Sequence, residues 1–205
     1  SDFATYTFAL RALEAVARPA RGQLELHFTY DEEFGGTLGP AWLLRNGLTK
    51  PDLLVAAGFS YQVVVAHNGC LQLEVTVQGE AGHAAIPDSS TDALQGAVHI
   101  LNALYDLNRD YQQQRSGVEG ITHAYLNIGR IDGGTNTNVV PGKVVFKLDR
   151  RMIPEEDPAQ VERSLRDTIA AAAASFAPPR GGHALQVQVR RILLAHAMRP
   201  LPGNA

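Results

Sequence analysis

The sequence predicts two domains of the mixed α/β class: a partial doubly wound α/β domain over residues 1–66 and an α+β domain over 67–197. Two observations predict this fold class. Helix and strand patterns alternate in the first segment, which is typical of doubly wound sheets. The later patterns follow the order β-α-β-β-α-β, which is that of a ferredoxin-like sandwich with an antiparallel sheet. Hydrophobic residues make up 45% of the 205 residues, enough for a sizeable core.

The first domain begins with a helical pattern that ends before Pro19. Its apolar face comprises Phe3, Tyr6, Leu10, Leu13 and Ala17. The alternation in QLELHFTY (23–30) predicts a strand, PAWLLRN predicts a short helix ending at a left-handed Gly47, and LLVAA (53–57) predicts a strand covered on both faces. A piece this small cannot close its own core, so we expect it to belong to a larger domain that the second domain interrupts.

The second domain opens with the strand pattern LQLEVTVQG and a helix from about Ser89 to Tyr111. The strand patterns HAYLNIGRI and VVPGKVVFKLDRR follow, separated by the turn-rich DGGTNTN. A helix over about 158–176 and the strand pattern ALQVQVRRILL complete the order. Residues 198–205 predict a linker that leads back to the first domain.

Charge and composition exclude several classes of function. The net charge is −3 with both signs interleaved, which argues against a nucleic-acid surface, and no apolar run approaches the roughly 18 residues of a membrane span. Cys70 is the only cysteine, so an intramolecular disulfide and a thiolate zinc cluster are both excluded. This usage fits a reducing compartment, and we expect a cytoplasmic protein.

An acid block, TYDEEFGG, follows the first predicted strand and places Asp31, Glu32 and Glu33 in a row. Ligands of open α/β sheets bind beyond the carboxyl ends of strands, which is where this block lies. One carboxylate could bind a divalent metal while its neighbour acts as general base on a metal-bound water. The two glycines would allow a sharp bend. The alternative is a solvated acidic loop without chemistry.

The segment T-x-D-E-E-x-G-G after a strand resembles a motif of the zinc amidohydrolases and metallopeptidases that include aminoacylase, carboxypeptidase G and succinyl-diaminopimelate desuccinylase. GEAGHAAIPDSSTDAL resembles the G-x-x-G-H-x-x-x-P segment of that family, and GGTNTNVVPGKVVFKLDRR resembles its G-G-x-x-x-N-x-V-P followed by D-x-R. The resemblance covers essentially the whole chain. It implies a zinc-peptidase-type catalytic domain with an inserted ferredoxin-like lid that mediates homodimerisation.

Each matched position carries an implied role. Glu32 resembles the general base and Glu33 a zinc ligand, and His83 resembles the lid histidine that reaches the oxygen of the tetrahedral intermediate, often from the other subunit. Asn138 resembles an asparagine of the substrate pocket, and Arg151 the arginine that binds the substrate carboxylate. The implied reaction is hydrolysis of the amide bond of an N-acyl amino acid or small peptide, with two zinc ions per full-length subunit.

Other interpretations of these residues stay open from sequence alone. His83 is otherwise a polar turn residue, and Asn138 could form turn hydrogen bonds that close the GGTNTN loop. Arg150 and Arg151 could both be solvated arginines at a strand end, although the D-x-R spacing favours Arg151.

The match is incomplete at the metal site. The resemblance places an H-x-D segment upstream of Ser1 and a last zinc-binding histidine beyond Ala205, and where it calls for another acidic ligand, six residues after Asp52, the sequence has Gly58. We therefore expect this chain alone to hold no zinc tightly and to be inactive. Two alternatives are a dimerisation module and a non-catalytic relative that has lost part of the metal site.

Overall fold

The structure is a computed structural model. It describes residues 2–16, 21–31, 35–57, 63–178 and 182–200. The chain forms two compact units, Ser1–Val63 and Val64–Ala205.

The first unit contains the helices α1 (Asp2–Val16) and α2 (Pro40–Arg45). α2 starts at a proline, whose fixed φ suits the first helical turn, and Gly47 has a φ of 65° just beyond its end. The left-handed conformation expected at Gly47 is therefore confirmed. No residue among those described in this unit is buried.

The two strands predicted for the first unit, over 23–30 and 53–57, are wrong: the described residues there form no strand. The alternating side chains of the first segment are exposed, with 59% of Leu24 and 42% of Phe28 accessible. A period-two pattern is compatible with a strand, but the strand forms only when a neighbouring strand completes its backbone hydrogen bonds. No described segment of this unit provides that neighbour.

The described residues of the second unit form six strands and two α-helices. In chain order they are β1 (Gly69–Gln78), β2 (Gly82–His83), α3 (Ala93–Tyr111), β3 (Tyr125–Gly133), β4 (Val139–Val140), β5 (Lys143–Met152), α4 (Pro158–Ser175) and β6 (Gln186–Ala195).

Four of these strands form one sheet in the order β3-β5-β1-β6, and every neighbouring pair is antiparallel. With α3 and α4 in the two crossover connections, this is the ferredoxin-like β-α-β-β-α-β topology, and the fold predicted for the second domain is confirmed. The strand predicted over VVPGKVVFKLDRR is divided: its first two residues form β4, which pairs with β2 in a separate two-stranded sheet, and β5 begins at Lys143. The sequence patterns predicted neither β2 nor this second sheet. A strand of two residues has no periodicity to detect.

The core lies between the four-stranded sheet and the helices. In β1 the alternate residues Leu71, Leu73, Val75 and Val77 are fully buried, while Gln72, Glu74 and Thr76 are half-buried on the opposite, open face. Both helices contribute an apolar stripe; that of α4 is Val161, Leu165, Ile169 and Ala172. Each large aliphatic side chain buried in this way contributes about 1.5–3 kcal/mol relative to an exposed one.

The helix boundaries are set by capping. α3 begins at Ala93 rather than near Ser89, because the Asp92 carboxylate accepts hydrogen bonds from the backbone N–H groups of Leu94 (2.8 Å) and Gln95 (3.1 Å). A short 3-10 turn, Pro87–Ser89, precedes it. Of the helices in the described part of the chain, none is both long and apolar enough to cross a membrane.

Candidate active site

Asp31, the first member of the acid block, contacts the turn that contains Gly35 and Gly36. Its carboxylate accepts a hydrogen bond from the Leu38 N–H (2.6 Å), and its carbonyl accepts one from the Gly36 N–H (2.9 Å). Gly35 and Gly36 have φ values of 92° and 66°, a region that favours glycine, so the bend expected from the two glycines is present. Asp31 therefore shapes this turn.

The other two members of the acid block, Glu32 and Glu33, lie outside the described residues, as does Gly58. Within the described ranges, no group of three or more His, Cys, Asp or Glu side chains could hold a metal ion. The described residues thus do not form a metal site by themselves, and the roles of Glu32 and Glu33 stay predictions.

β2 and β4 bring two predicted site residues together. His83 in β2 pairs with Val139 in β4, and the N–H of Ala84 donates to the carbonyl of Asn138 at 3.0 Å. The two strands thus fix the backbones of His83 and Asn138 side by side, although the two residues are 55 positions apart in the chain. Both side chains are exposed.

A backbone contact also fixes the chemical form of His83. The N–H of Ala85 donates to Nδ1 of the imidazole at 3.1 Å, so Nδ1 is an acceptor and carries no proton. In the neutral ring the proton is then on Nε2, which is free to donate a hydrogen bond. His83 therefore presents an N–H donor, the group that stabilises a developing oxyanion.

Close glycine contacts hold this two-stranded sheet. A Cβ on Gly82 would come within 2.6 Å of the Ser90 side chain, and a Cβ on Gly142 would come within 2.9 Å of the Ala81 backbone. No larger residue fits at either position without displacing its neighbour. Packing therefore requires glycine both before His83 and after Pro141. Both glycines are part of the sequence motifs, but the reason for them is visible only in the structure.

The turn chemistry left open for Asn138 is supplied by Asn136. The Asn136 side-chain oxygen accepts a hydrogen bond from the Thr137 N–H (2.8 Å), and its carbonyl accepts one from the Val139 N–H (3.1 Å). Since Asn136 forms these turn contacts, the exposed amide of Asn138 is available to a ligand.

Arg151 lies on the open face of the four-stranded sheet, near the end of β5. Its side chain is 53% exposed and forms two hydrogen bonds with Asp149, from Nε to Oδ1 (2.7 Å) and from Nη2 to Oδ2 (3.2 Å). Its register partners are Cys70 in β1 and Tyr125 in β3. Burial raises the pKa of the Cys70 thiol, and the Asp149 carboxylate raises it further, so this thiol is not an activated nucleophile.

Arg151 is far from His83 and Asn138 within one chain. β5 begins at Lys143, a few residues after Asn138, and Arg151 is at its other end. Eight residue steps (151 − 143) at about 3.3 Å each separate the ends by roughly 26 Å. One small substrate therefore cannot contact all three residues of the same subunit.

Arg150 points the opposite way and is fully buried. Its guanidinium lies 3.8 Å from the Tyr111 ring centroid, forms an ion pair with Glu156 and donates to the Arg151 carbonyl. The alternation of β5 explains this arrangement, since successive side chains point to opposite faces. The D-x-R spacing thus indicates the accessible arginine, but the motif does not show that its neighbour Arg150 belongs to the core.

Comparisons with known proteins extend these observations. A family model described as the peptidase dimerisation domain matches residues 65–177. The N-acetyl-L-citrulline deacetylase of Xanthomonas campestris pv. campestris is 30% identical over 176 residues, which cover 85% of this chain and 45% of that protein. The acetylornithine deacetylase of Myxococcus xanthus is 32% identical over 166 residues, which cover 78% of this chain and 43% of that protein.

The structure is also similar to a hydantoinase/carbamoylase family amidase from Burkholderia ambifaria. That likeness has a TM-score of 0.51 and 26% sequence identity, and it covers 65% of this chain and 30% of the other. The chain spans less than half the length of the relatives described above.

Proposed function

Because this chain belongs to the peptidase dimerisation domain family, we propose that the full-length protein is a metal-dependent amidohydrolase that cleaves the amide bond of N-acyl amino acids or small peptides. The names of two similar proteins, N-acetyl-L-citrulline deacetylase and acetylornithine deacetylase, support an N-acyl amino acid as substrate. In this proposal Glu32 is the general base, Glu33 is a zinc ligand, and zinc, two ions per full-length subunit, supplies the Lewis acid.

The observation that carries the proposal is the fixed donor form of His83. A backbone N–H occupies Nδ1, which leaves Nε2–H as the remaining donor of a neutral ring, and glycine packing holds the two-stranded sheet that carries this residue. A preorganised donor of this kind stabilises the negative oxygen that forms when an amide carbon is attacked. The neighbouring amide of Asn138 would contact the same substrate.

We test this role with His83→Ala in the full-length protein. We expect turnover of an N-acetyl amino acid to fall about 100-fold to 1,000-fold, as for loss of one oxyanion donor, while the bound metal stays unchanged. Glu32→Gln should lower turnover by at least about 100-fold, as for loss of a general base. Unchanged turnover in His83→Ala would remove His83 from the site, and an inactive parent protein would favour the non-catalytic alternative.

The separation of Arg151 from His83 leads to a composite site. We propose that His83 and Asn138 of one subunit and Arg151 of the other complete each active site of a homodimer. This predicts complementation: mixed dimers of His83→Ala and Arg151→Ala subunits contain one intact site, so a statistical mixture regains about a quarter of the wild-type kcat/KM, measured at substrate concentrations below KM. No recovery in verified mixed dimers would contradict the composite site.

Dimerisation is the second candidate function, and one surface favours it. Along α3, Leu94, Val98, Leu101 and Tyr105 recur at helical spacing on the flank opposite to the side that contacts α4. Three of these side chains are 43–47% exposed. Because α3 contacts β3 whereas α4 contacts β6, this flank lies above the β3 edge, where Ile131 is 48% exposed. We call these five residues the apolar flank.

The opposite edge of the sheet is protected. Arg166 of α4 donates to the Val189 carbonyl of β6 at 2.9 Å and binds Glu162 through Nε (3.0 Å) and Nη2 (2.8 Å). Arg191 of β6 also pairs with Glu162. Charged side chains over an edge strand hinder pairing with another chain. The β3 edge also carries an ion pair, between Arg130 and Asp132, but Ile131 of the apolar flank lies between them, and among the described residues no arginine bonds to the β3 backbone as the α4 arginine bonds to that of β6. A second copy of this chain would therefore bind at the β3 edge.

Ile131→Lys should abolish or weaken the dimer by placing a charge in its apolar contact. Ile192→Lys on the protected β6 edge, where the isoleucine is 36% exposed, is the matched control and should leave the mass unchanged. Light scattering over a concentration series measures both. A monomeric wild-type protein at high concentration, or a dimer that persists in Ile131→Lys, would contradict this surface.

We also infer a reducing compartment such as the cytoplasm from the single cysteine, Cys70. Fractionation of the native host would measure the location.

A further inference from the structure

Arg151 is held on its open face by a neighbouring carboxylate. Asp149 and Arg151 are two positions apart on β5, so both side chains extend from the same face of the sheet. The Asp149 carboxylate accepts from Nε at 2.7 Å and from Nη2 at 3.2 Å, which is the side-on bidentate arrangement of a carboxylate and a guanidinium. This pairing fixes the plane in which the guanidinium lies.

Asp149 is itself held from the adjacent strand. Gln72 of β1, its register partner, donates from Nε2 to Oδ2 at 3.0 Å, and the Cys70 thiol lies 3.5 Å from the same oxygen. The Asp149 side chain is 22% exposed, compared with 53% for Arg151. The carboxylate is thus the better-buried partner, and β1 anchors it.

The backbone of Arg151 is held from the core side. The buried Arg150 donates to the Arg151 carbonyl, and its partner Glu156 accepts from the Ile153 N–H at 2.8 Å. Side chain and backbone of Arg151 are therefore positioned by different groups on the two faces of the sheet.

One edge of the guanidinium stays open. Asp149 occupies Nε and one Nη2 proton, and Nη1 forms no hydrogen bond to the part of the chain that the structure describes. Arginine has five donors in a planar fork, so the Nη1/Nη2 edge can bind a second carboxylate while the first stays in place.

We propose that Asp149 is a positioning residue that orients Arg151 for the carboxylate of the substrate. The inference rests on the proposed role of Arg151. A long arginine side chain loses much conformational freedom when it binds a ligand, and prior fixation by Asp149 removes part of that loss. Asp149 also carries a charge that repels a second carboxylate, and the orienting effect outweighs this repulsion because the open edge is the one turned away from Asp149.

The test is the Asp149→Asn variant of the full-length protein, measured with an N-acetyl amino acid and with its carboxamide, which lacks the carboxylate. We expect KM for the acid to rise about tenfold with kcat changed less than about twofold, and no change in KM for the carboxamide, because binding alone is affected. Loss of fold would instead lower activity on both substrates together. Gln72→Ala, which removes one anchor of Asp149, should give a smaller rise for the acid alone.

Glu74→Gln is the matched control. Glu74 lies on the same open face, its side chain is 21% exposed, and it binds Arg190 at 2.9 Å and Lys147 at 3.4 Å. The substitution removes the same charge at the same burial without touching Arg151, so we expect both KM values to stay unchanged.

Arg151→Ala separates the two ways in which the inference can fail. If Arg151→Ala raises KM for the acid but Asp149→Asn and Gln72→Ala leave it unchanged or lower it, Asp149 is a competing anion and the positioning role is wrong. An unchanged KM in Arg151→Ala would overturn the proposed role of Arg151 and the positioning role together.

Discussion

Arg150 is the largest fully buried side chain of the described chain, and it is charged. Its ion pair with Glu156 and its stacking on Tyr111 offset the desolvation of the guanidinium. A buried ion pair is seldom more stabilising than apolar residues of similar volume, but loss of one partner leaves the other charge unpaired. The free energy of unfolding therefore depends on this pair chiefly through the cost of removing one of its two partners.

We expect Glu156→Ala to destabilise the second unit by about 3–5 kcal/mol, because the buried guanidinium loses its counter-charge. Glu162→Ala is the comparison. Glu162 binds an Arg166 side chain that is 38% exposed, so its loss should cost at most about 1 kcal/mol. Urea unfolding followed by circular dichroism measures both, and equal losses of stability would show that burial of Arg150 is not what makes Glu156 important.

For single residues, the sequence indicated which side chains could act in the site, but not their burial or their tautomer. His83, Asn138 and Arg151 were selected by motif spacing, and all three are exposed in the structure. The tautomer of His83 depends on the backbone of Ala85, and the burial of Arg150 depends on which face of β5 meets the helices. Both are consequences of local geometry that residue identity does not encode.

The start of α3 shows how a single cap sets an element. The helical pattern extends back to about Ser89, but the helix begins at Ala93, after the Asp92 cap. The four residues before Ala93 belong to the loop that follows His83. This loop is fixed at its end, because Thr91 and Glu80 exchange two backbone hydrogen bonds of 2.9 and 3.0 Å. The cap thus stabilises the helix and defines where this loop ends.

Asp92→Ala should destabilise the second unit by about 1 kcal/mol through loss of the two capping hydrogen bonds. Asp88→Ala removes the same charge four residues earlier from an exposed position, and we expect a change within about 0.5 kcal/mol. Thermal unfolding of the two variants provides the measurement. A loss in Asp88→Ala as large as in Asp92→Ala would show that charge, and not capping, stabilises the helix start.

Hydrophobic periodicity correctly predicted the strands and helices that pack against other elements within the described chain. β1, β3, β5 and β6 and both long helices lie within a few residues of their predicted positions. The strands predicted over 23–30 and 53–57 have the same kind of pattern and fail, because backbone pairing is a property of two segments and the pattern belongs to one.

On the scale of the whole molecule the two units differ in what holds them together. The second unit encloses a continuous core of buried residues between sheet and helices. In the first unit the apolar contacts among described residues are partial, such as the Phe3 and Phe28 rings at a centroid distance of 4.4 Å. The described part of this unit has no buried residue.

We therefore expect amide hydrogen exchange of this chain to differ between the units. Peptides from β1, β5 and α3 should exchange at least about 100-fold more slowly than peptides from 21–31 and 35–57, since buried sheet and helix amides open only with large free-energy cost. Mass spectrometry of the exchanged chain gives both rates under one condition. Similar protection in the two units would mean that the first unit has a core of its own.

The sequence by itself determined the family resemblance, the ferredoxin-like order of elements and the residue types of the candidate site, because these depend on local pattern and on motif spacing. The tertiary structure decided which residues meet: it placed Asn138 beside His83 through β2 and β4, and it placed Arg151 at the far end of β5, beside Asp149. Those outcomes depend on strand pairing between distant segments, and pairing is fixed only when the whole sheet closes over its core.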